Sequence, residues 1–190
     1  MTKGDLRKSY LEKRLALTEA EYARFNERLC KTFFRSVNLS SVHVLHTFLP
    51  MRKFNEPDTG LIMDGIRRSF PTIQLSIPKV NDTTGTLENY FWEGPDQLVE
   101  TKWGLAEPRH GVPTPTDKID MVLVPLLVVD QHGYRVGYGK GYYDRFLSTC
   151  RPDCRTLGIS FFPPIESISG IEWFDRKLDM ALTPGQLFSF

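Results

Sequence analysis

The chain has 190 residues, a formal charge of +1, 41% hydrophobic and 25% charged side chains. Surface scaling sets roughly 9,300 Å² folded against roughly 31,800 Å² unfolded, so about 70% of the surface can be buried. These figures read as one domain over 1–190 that folds alone; they exclude disorder and leave no net pull toward DNA or anionic membrane.

The opening residues are charged from Lys3 onward and the longest apolar stretch, 121–129 (MVLVPLLVV), is far too short for a bilayer. Neither a secretory signal nor a membrane span is expected. Cys30, Cys150 and Cys154 are an odd set without a paired framework, the pattern of reduced thiols in a cytoplasmic protein. His43 and His46 fall on opposite faces of an alternating stretch, so they offer no zinc pair.

In chain order, residues 3–17 are rich in helix formers, and Thr18-Glu19-Ala20-Glu21 is a capping box that opens a second helix. Tyr22, Phe25, Leu29 and Phe33 give that helix a buried stripe at spacings of three and four. Residues 42–48 read as a strand ending at Pro50, 60–70 as a short helix, 73–77 and 86–92 as strands, and 94–115 as a connection. From Ile119 come a buried apolar strand, a glycine-rich loop, a helix starting near Tyr142, a strand at 156–161 and a last strand alternating through Leu178, Met180 and Leu182. Strands interleaved with helices indicate an α/β fold.

The most informative segment is VPLLVVDQHGYRVGYGKGYYDRFL, residues 124–147, where a strand runs into Gly137, Gly139 and Gly141 and then a helix. Small residues there let backbone N–H groups approach an anion, and the helix start adds a favourable dipole. The spacing matches neither the Walker loop nor the full dinucleotide fingerprint, and such glycines also serve plain tight turns. Arg135 and Lys140 add cationic donors, and Asp144, one turn into the helix, suits a phosphate-bound Mg²⁺.

At 100° per residue, Lys3, Arg7 and Arg14 sit at about 0°, 40° and 20° around a helix, a basic stripe that on its own reads first as a solvated face. Leu6, Leu11, Leu15 and Leu17 form no clean opposing stripe. Glu56 follows the first strand, where ligands bind in open α/β sheets, although a loop glutamate is often only exposed. Trp103 suits stacking on a flat heterocycle or plain packing, and Asp175 a second metal carboxylate or a strand-flanking charge.

In this order the residues resemble the 5-formyltetrahydrofolate cyclo-ligase family, the 5,10-methenyltetrahydrofolate synthetases. The resemblance covers nearly the whole chain: KGDLR with Arg14, Glu56, KWGLAEP, IDMVLVPLLVVDQHGYRVGYGKGYYDRFL and FDRKLDMALTP, with RVGYGKGYYDR at 135–145 the specific part. It implies an open, largely parallel sheet flanked by helices, of the sugar-phosphate isomerase and CoA transferase type. It also implies ATP-dependent cyclisation of 5-formyltetrahydrofolate with Mg²⁺ and with ATP as co-substrate; charge and hydropathy give no nucleic-acid or membrane partner, and a monomer is expected.

Carried over by position, Lys3, Gly4, Asp5, Leu6, Arg7 and Arg14 would bind ATP, together with Arg135, Val136, Gly137, Tyr138, Gly139, Lys140, Gly141, Tyr142 and Tyr143. Leu49, Glu56, Trp103, Tyr138, Gly139, Lys140, Gly141 and Tyr142 would bind the folate. Asp144 and Asp175 would hold the metal, and Arg135 and Lys140 would stabilise the transferring phosphate. The chain departs from the family at Leu126 and Val129, where a Gly and a Phe are common, which bears on packing beneath the folate. A binding module without turnover, a sugar-phosphate isomerase and a nucleic-acid binder are the other classes; the basic stripe argues against the second and the near-neutral charge against the third.

Overall fold

The computed structural model describes residues 1–101 and 104–190. Two helices open the chain, α1 (Lys3–Leu15) and α2 (Glu19–Ser36). Each starts in a reciprocal capping box, Thr2 with Asp5 and Thr18 with Glu21, which satisfies two otherwise orphaned backbone donors. The stripe expected on α2 is buried at Tyr22, Leu29 and Phe33, whereas α1 buries only Leu6 and Arg14.

There follow β1 (Val44–His46), α3 (Gly60–Ser69), β2 (Gln74–Asn81), β3 (Thr86–Phe91), β4 (Leu98–Glu100) and β5 (Ala106–Pro108). The second half holds β6 (Met121–Pro125), β7 (Val128–Val129), β8 (Arg135–Val136), α4 (Tyr142–Thr149), β9 (Arg155–Ile159), β10 (Met180–Leu182) and β11 (Leu187–Ser189). The stretch 94–115 is therefore not a plain connection: β4 and β5 pair antiparallel within it. Three residues per strand leave too short an alternation to stand out among its prolines and glycines. Nor is β10 the last strand, because β11 turns back and pairs antiparallel on its outer side.

The main sheet runs β11-β10-β9-β6-β1-β2-β3. Its inner pairs, β2 with β1, β1 with β6, β6 with β9 and β9 with β10, are parallel; both edge pairs are antiparallel. The open, largely parallel sheet expected from the sequence is thus present. Strand β6 is buried on both faces: Met121 and Leu123 pack with α2 and α3, while Val122 and Val124 pack with Phe146 and Leu147 of α4. A two-sided position explains why its sequence is a continuous apolar run.

Connection β1-α3-β2 crosses one face of the sheet and β6-α4-β9 crosses the other. The winding reverses between the neighbours β1 and β6, and a crevice opens at the carboxyl ends of strands flanking such a reversal. Glu56 lies in the segment leaving β1 and the glycine loop in the segment leaving β6. Helix α1 crosses this end on Leu6, which packs with Val128, Val136 and Ile168.

Leu126 and Val129 are buried in the α4-side core. The room for Leu126 comes from Gly158 in β9, where a Cβ would stand 2.5 Å from the Leu126 Cδ2. The departure is absorbed by packing inside the sheet.

Candidate active site

The glycine loop and the start of α4 line a cleft of about 260 Å³, closed on its other sides by Lys3 and Arg7 of α1, Pro125, Phe174 and Asp175. Gly139 (φ +85°) and Gly141 (φ +68°) hold left-handed backbone. A side chain at residue 139 would also meet the Arg7 guanidinium at 3.0 Å, so the tight turn accounts for glycine there. Tyr142, Tyr143 and Asp144 form the first turn of α4 and line the cleft, which places the positive end of that helix at its wall.

Four cations surround this space. Arg7 Nε donates to the Gly137 carbonyl at 2.9 Å. Arg135 is 6% exposed at its side chain and donates to Asp144 Oδ1 at 2.8 Å and to the Arg176 carbonyl at 2.7 Å. Burial pulls its pKa down from the usual arginine value, opposed by the carboxylates of Asp144 and Asp175. Lys3 donates to Asp175. Lys140 is exposed and, among the described residues, its ammonium has no protein partner.

Asp144 Oδ1 takes Arg135 and the Arg176 N–H, and Asp175 Oδ2 takes Lys3 and the Glu172 N–H, leaving one oxygen on each carboxylate without a donor among the described residues. No group of three or more acidic, His or Cys side chains able to cage a metal exists among the described residues. Two carboxylates beside a glycine loop nonetheless fit Mg²⁺, a cation that takes one or two protein carboxylates and fills the rest of its octahedron with other oxygen ligands such as phosphate and water.

The structure does not bring every expected residue to the cleft. Arg14 shares its azimuth with Lys3 and Arg7 but lies about 16 Å beyond the first and about 10 Å beyond the second along the helix axis at 1.5 Å per residue. It is 2% exposed and its guanidinium donates to the Phe54 carbonyl at 2.6 Å, the Leu126 carbonyl at 3.3 Å and the Tyr138 hydroxyl. Among its neighbours, Leu6 is core, Asp5 caps α1 and Gly4 stays outside the lining. Leu49 packs on the hydrophobic core. Trp103 lies outside the described residues.

Glu56 is 2% exposed and sits behind the loop rather than on the cleft wall. The Tyr138 hydroxyl donates to its Oε1 and the Met51 N–H to its Oε2, each at 2.7 Å, while its backbone carbonyl takes the Tyr22 hydroxyl at 2.7 Å. Desolvation raises its pKa above the usual glutamate value; the two hydrogen bonds and Arg14 oppose the rise. Tyr138 therefore links the loop to Glu56, with Arg14 fixing the phenol from the other side and Phe54 against its ring.

Sequence reasoning missed two supports. Arg145 donates to the carbonyls of Gly85 at 2.7 Å and Lys140 at 2.8 Å, and Tyr142 donates to Asp82 at 3.3 Å, so the β2–β3 turn clamps the loop. Phe174 also faces the cleft. The turn itself is legible in Asn81-Asp82-Thr83-Thr84-Gly85, but its docking across the sheet end leaves no local signal.

Residues 1–184 match the model of the 5-formyltetrahydrofolate cyclo-ligase family. The chain is 30% identical over 104 residues to the probable 5-formyltetrahydrofolate cyclo-ligase of Caenorhabditis elegans, spanning 50% of either chain, about half of that relative's length. It is 30% identical over 162 residues to the 5-formyltetrahydrofolate cyclo-ligase of Mycolicibacterium smegmatis, covering 83% of this chain and 81% of the other. Its structure is similar to the NMR structure of the Aquifex aeolicus 5,10-methenyltetrahydrofolate synthetase, with a TM-score of 0.84, 26% identity, and 100% and 93% of the two chains covered.

Proposed function

Since the chain belongs to the 5-formyltetrahydrofolate cyclo-ligase family, we propose that it closes 5-formyltetrahydrofolate to 5,10-methenyltetrahydrofolate at the expense of ATP. The observation that carries this reading is one crevice at the sheet's winding reversal, where a glycine loop, four cations and two carboxylates meet. Through Tyr138 the same loop reaches a buried glutamate. Its partners are the two small molecules. No helix among the described residues is long and apolar enough to cross a membrane, and a cytoplasmic location fits the free thiols.

The chemistry explains the demand for these groups. A formamide carbon is a poor electrophile, so its oxygen forms a bond to the γ-phosphorus while the bond to the β,γ-bridging oxygen breaks and ADP leaves. The 10-nitrogen then adds to the activated carbon and gives up its proton to solvent, and phosphate departs with the former formyl oxygen and its bonding electron pair. Phosphoryl transfer of this kind needs positioning and charge neutralisation rather than a protein nucleophile. The loop N–H groups and Lys140 hold the triphosphate, Arg7 and Lys3 complete its cationic wall, and Arg135 fixes Asp144 at the helix start. Asp144 and Asp175 would hold Mg²⁺, which supplies further neutralisation of phosphate charge when bound. Glu56 accepts N–H donors of the folate once Tyr138 yields its place.

Folate-dependent ADP release tests the reading. Incubation with MgATP should yield ADP only when 5-formyltetrahydrofolate is present. Nucleotide binding without folate-dependent ADP would make this fold a binding module instead.

A further inference from the structure

Tyr143 is the second residue of α4, and its ring is held edge-on between His46, at a centroid distance of 6.2 Å, and Phe146, at 6.1 Å. It packs against the apolar clusters on both faces of the sheet and lines the cleft. Its hydroxyl is shut off from solvent and, unlike that of Tyr138, has no hydrogen-bond partner among the described residues. Native folds seldom leave a buried hydroxyl unpaired, because the group loses water and gains nothing. Folding alone would favour phenylalanine at this position.

Two charged groups act on the hydroxyl, Glu56 from the segment after β1 and Arg135 from β8. The first belongs to the folate side of the site and the second to the phosphate side. Tyr143 lines the same cleft as Arg135, Lys140 and Asp144, so its hydroxyl is an unpaired donor beside the space assigned to the triphosphate. Burial pushes its pKa upward, so it keeps its proton and remains a donor at neutral pH.

Resting on the function proposed above, we infer that Tyr143 is a catalytic residue whose hydroxyl donates to a non-bridging oxygen of the phosphoryl group in transit from ADP to the formyl oxygen. The bond to the formyl oxygen forms, the bond to the bridging oxygen breaks, and the electron pair leaves with ADP. No proton changes owner. The same donor stays on the phosphate as it departs after ring closure. A donor of this kind has its full effect only in the transition state, so its loss appears in kcat rather than in either KM.

Tyr143→Phe separates this role from a structural one. The substitution should lower kcat about 10- to 100-fold with both KM values within about twofold. The melting temperature should hold or rise, because an unpaired buried hydroxyl has been removed. An unchanged kcat beside an active wild type would refute the inference and leave the proposed function standing. So would a fall in melting temperature, which would show that the hydroxyl has a partner within the fold. A wild type that makes no methenyl product would remove the functional reading and this inference together.

Discussion

Lys140 and Arg135 are both cationic and both in the loop segment, yet they are held in opposite ways. Lys140 is exposed with no protein partner among the described residues, so Lys140→Ala should lower kcat/KM about 100-fold while the melting temperature stays put. Arg135 is buried against Asp144 and the Arg176 carbonyl. Arg135→Ala should lower kcat/KM and also cost about 1–3 kcal/mol of stability, because Asp144 is left without its guanidinium. Thermal unfolding beside steady-state kinetics separates the pair; equal melting temperatures for the two variants would contradict this assignment. His46 gives a pH signature of a different kind. It is fully buried, and desolvation pulls its pKa from 6.5 to about 3. Between those values the unfolded chain binds a proton that the native state refuses, so stability falls as pH drops below about 6.5. The slope is about 1.4 kcal/mol per pH unit. Because the full slope develops only about a unit below 6.5, urea unfolding at pH 7 and pH 5.5 should show a His46 share of about 1.2 kcal/mol in the wild type, and His46→Gln should remove that share.

Among the elements, the glycine loop has few bonds of its own and depends on what is docked against it. Arg145 ties the Lys140 carbonyl to the Gly85 carbonyl at the β2–β3 turn. Arg145→Ala should raise the KM for MgATP severalfold and speed amide exchange over 137–141, with kcat changed less. Unaltered exchange in the loop would show that the clamp has no such effect. The loop and α4 were legible from the sequence because their signals are local: glycines, two cations and a helix start lie within a dozen residues. The capping box at Thr18 was legible for the same reason. Strands β4 and β5 were not, since three-residue strands among prolines and glycines carry too little alternation. Strand β11 escaped notice because Leu187, Phe188 and Ser189 pair with β10 through backbone groups, which any short run can supply.

For the whole molecule, the sheet sets the site by reversing its winding between β1 and β6, and its core must be filled from both faces to hold that geometry. Leu126 occupies the space that Gly158 leaves open; a Cβ there would also meet Leu178 Cδ1 at 2.6 Å. Gly158→Ala should therefore cost about 1–3 kcal/mol by overpacking, and Leu126→Val in the same chain should recover part of it in urea unfolding. The cluster of Arg14, Tyr138 and Glu56 shows where sequence reading stopped. Helical periodicity gives Arg14's azimuth but not its height along α1, and nothing local joins residues 14, 56 and 138 across the chain. Only the reversal of winding brings them together, so Arg14 emerged as a support of Tyr138 and Glu56 rather than as part of the phosphate wall.

In the function proposed above, one crevice couples ATP cleavage to ring closure. This coupling is tested most directly by recording near-ultraviolet absorbance of the methenyl product while ADP is quantified in the same reaction of purified protein, 5-formyltetrahydrofolate and MgATP. With the two steps coupled, the chromophore and ADP should rise together in equal amounts, each dependent on both substrates. ADP without the chromophore, or binding of either substrate with no product at all, would contradict it.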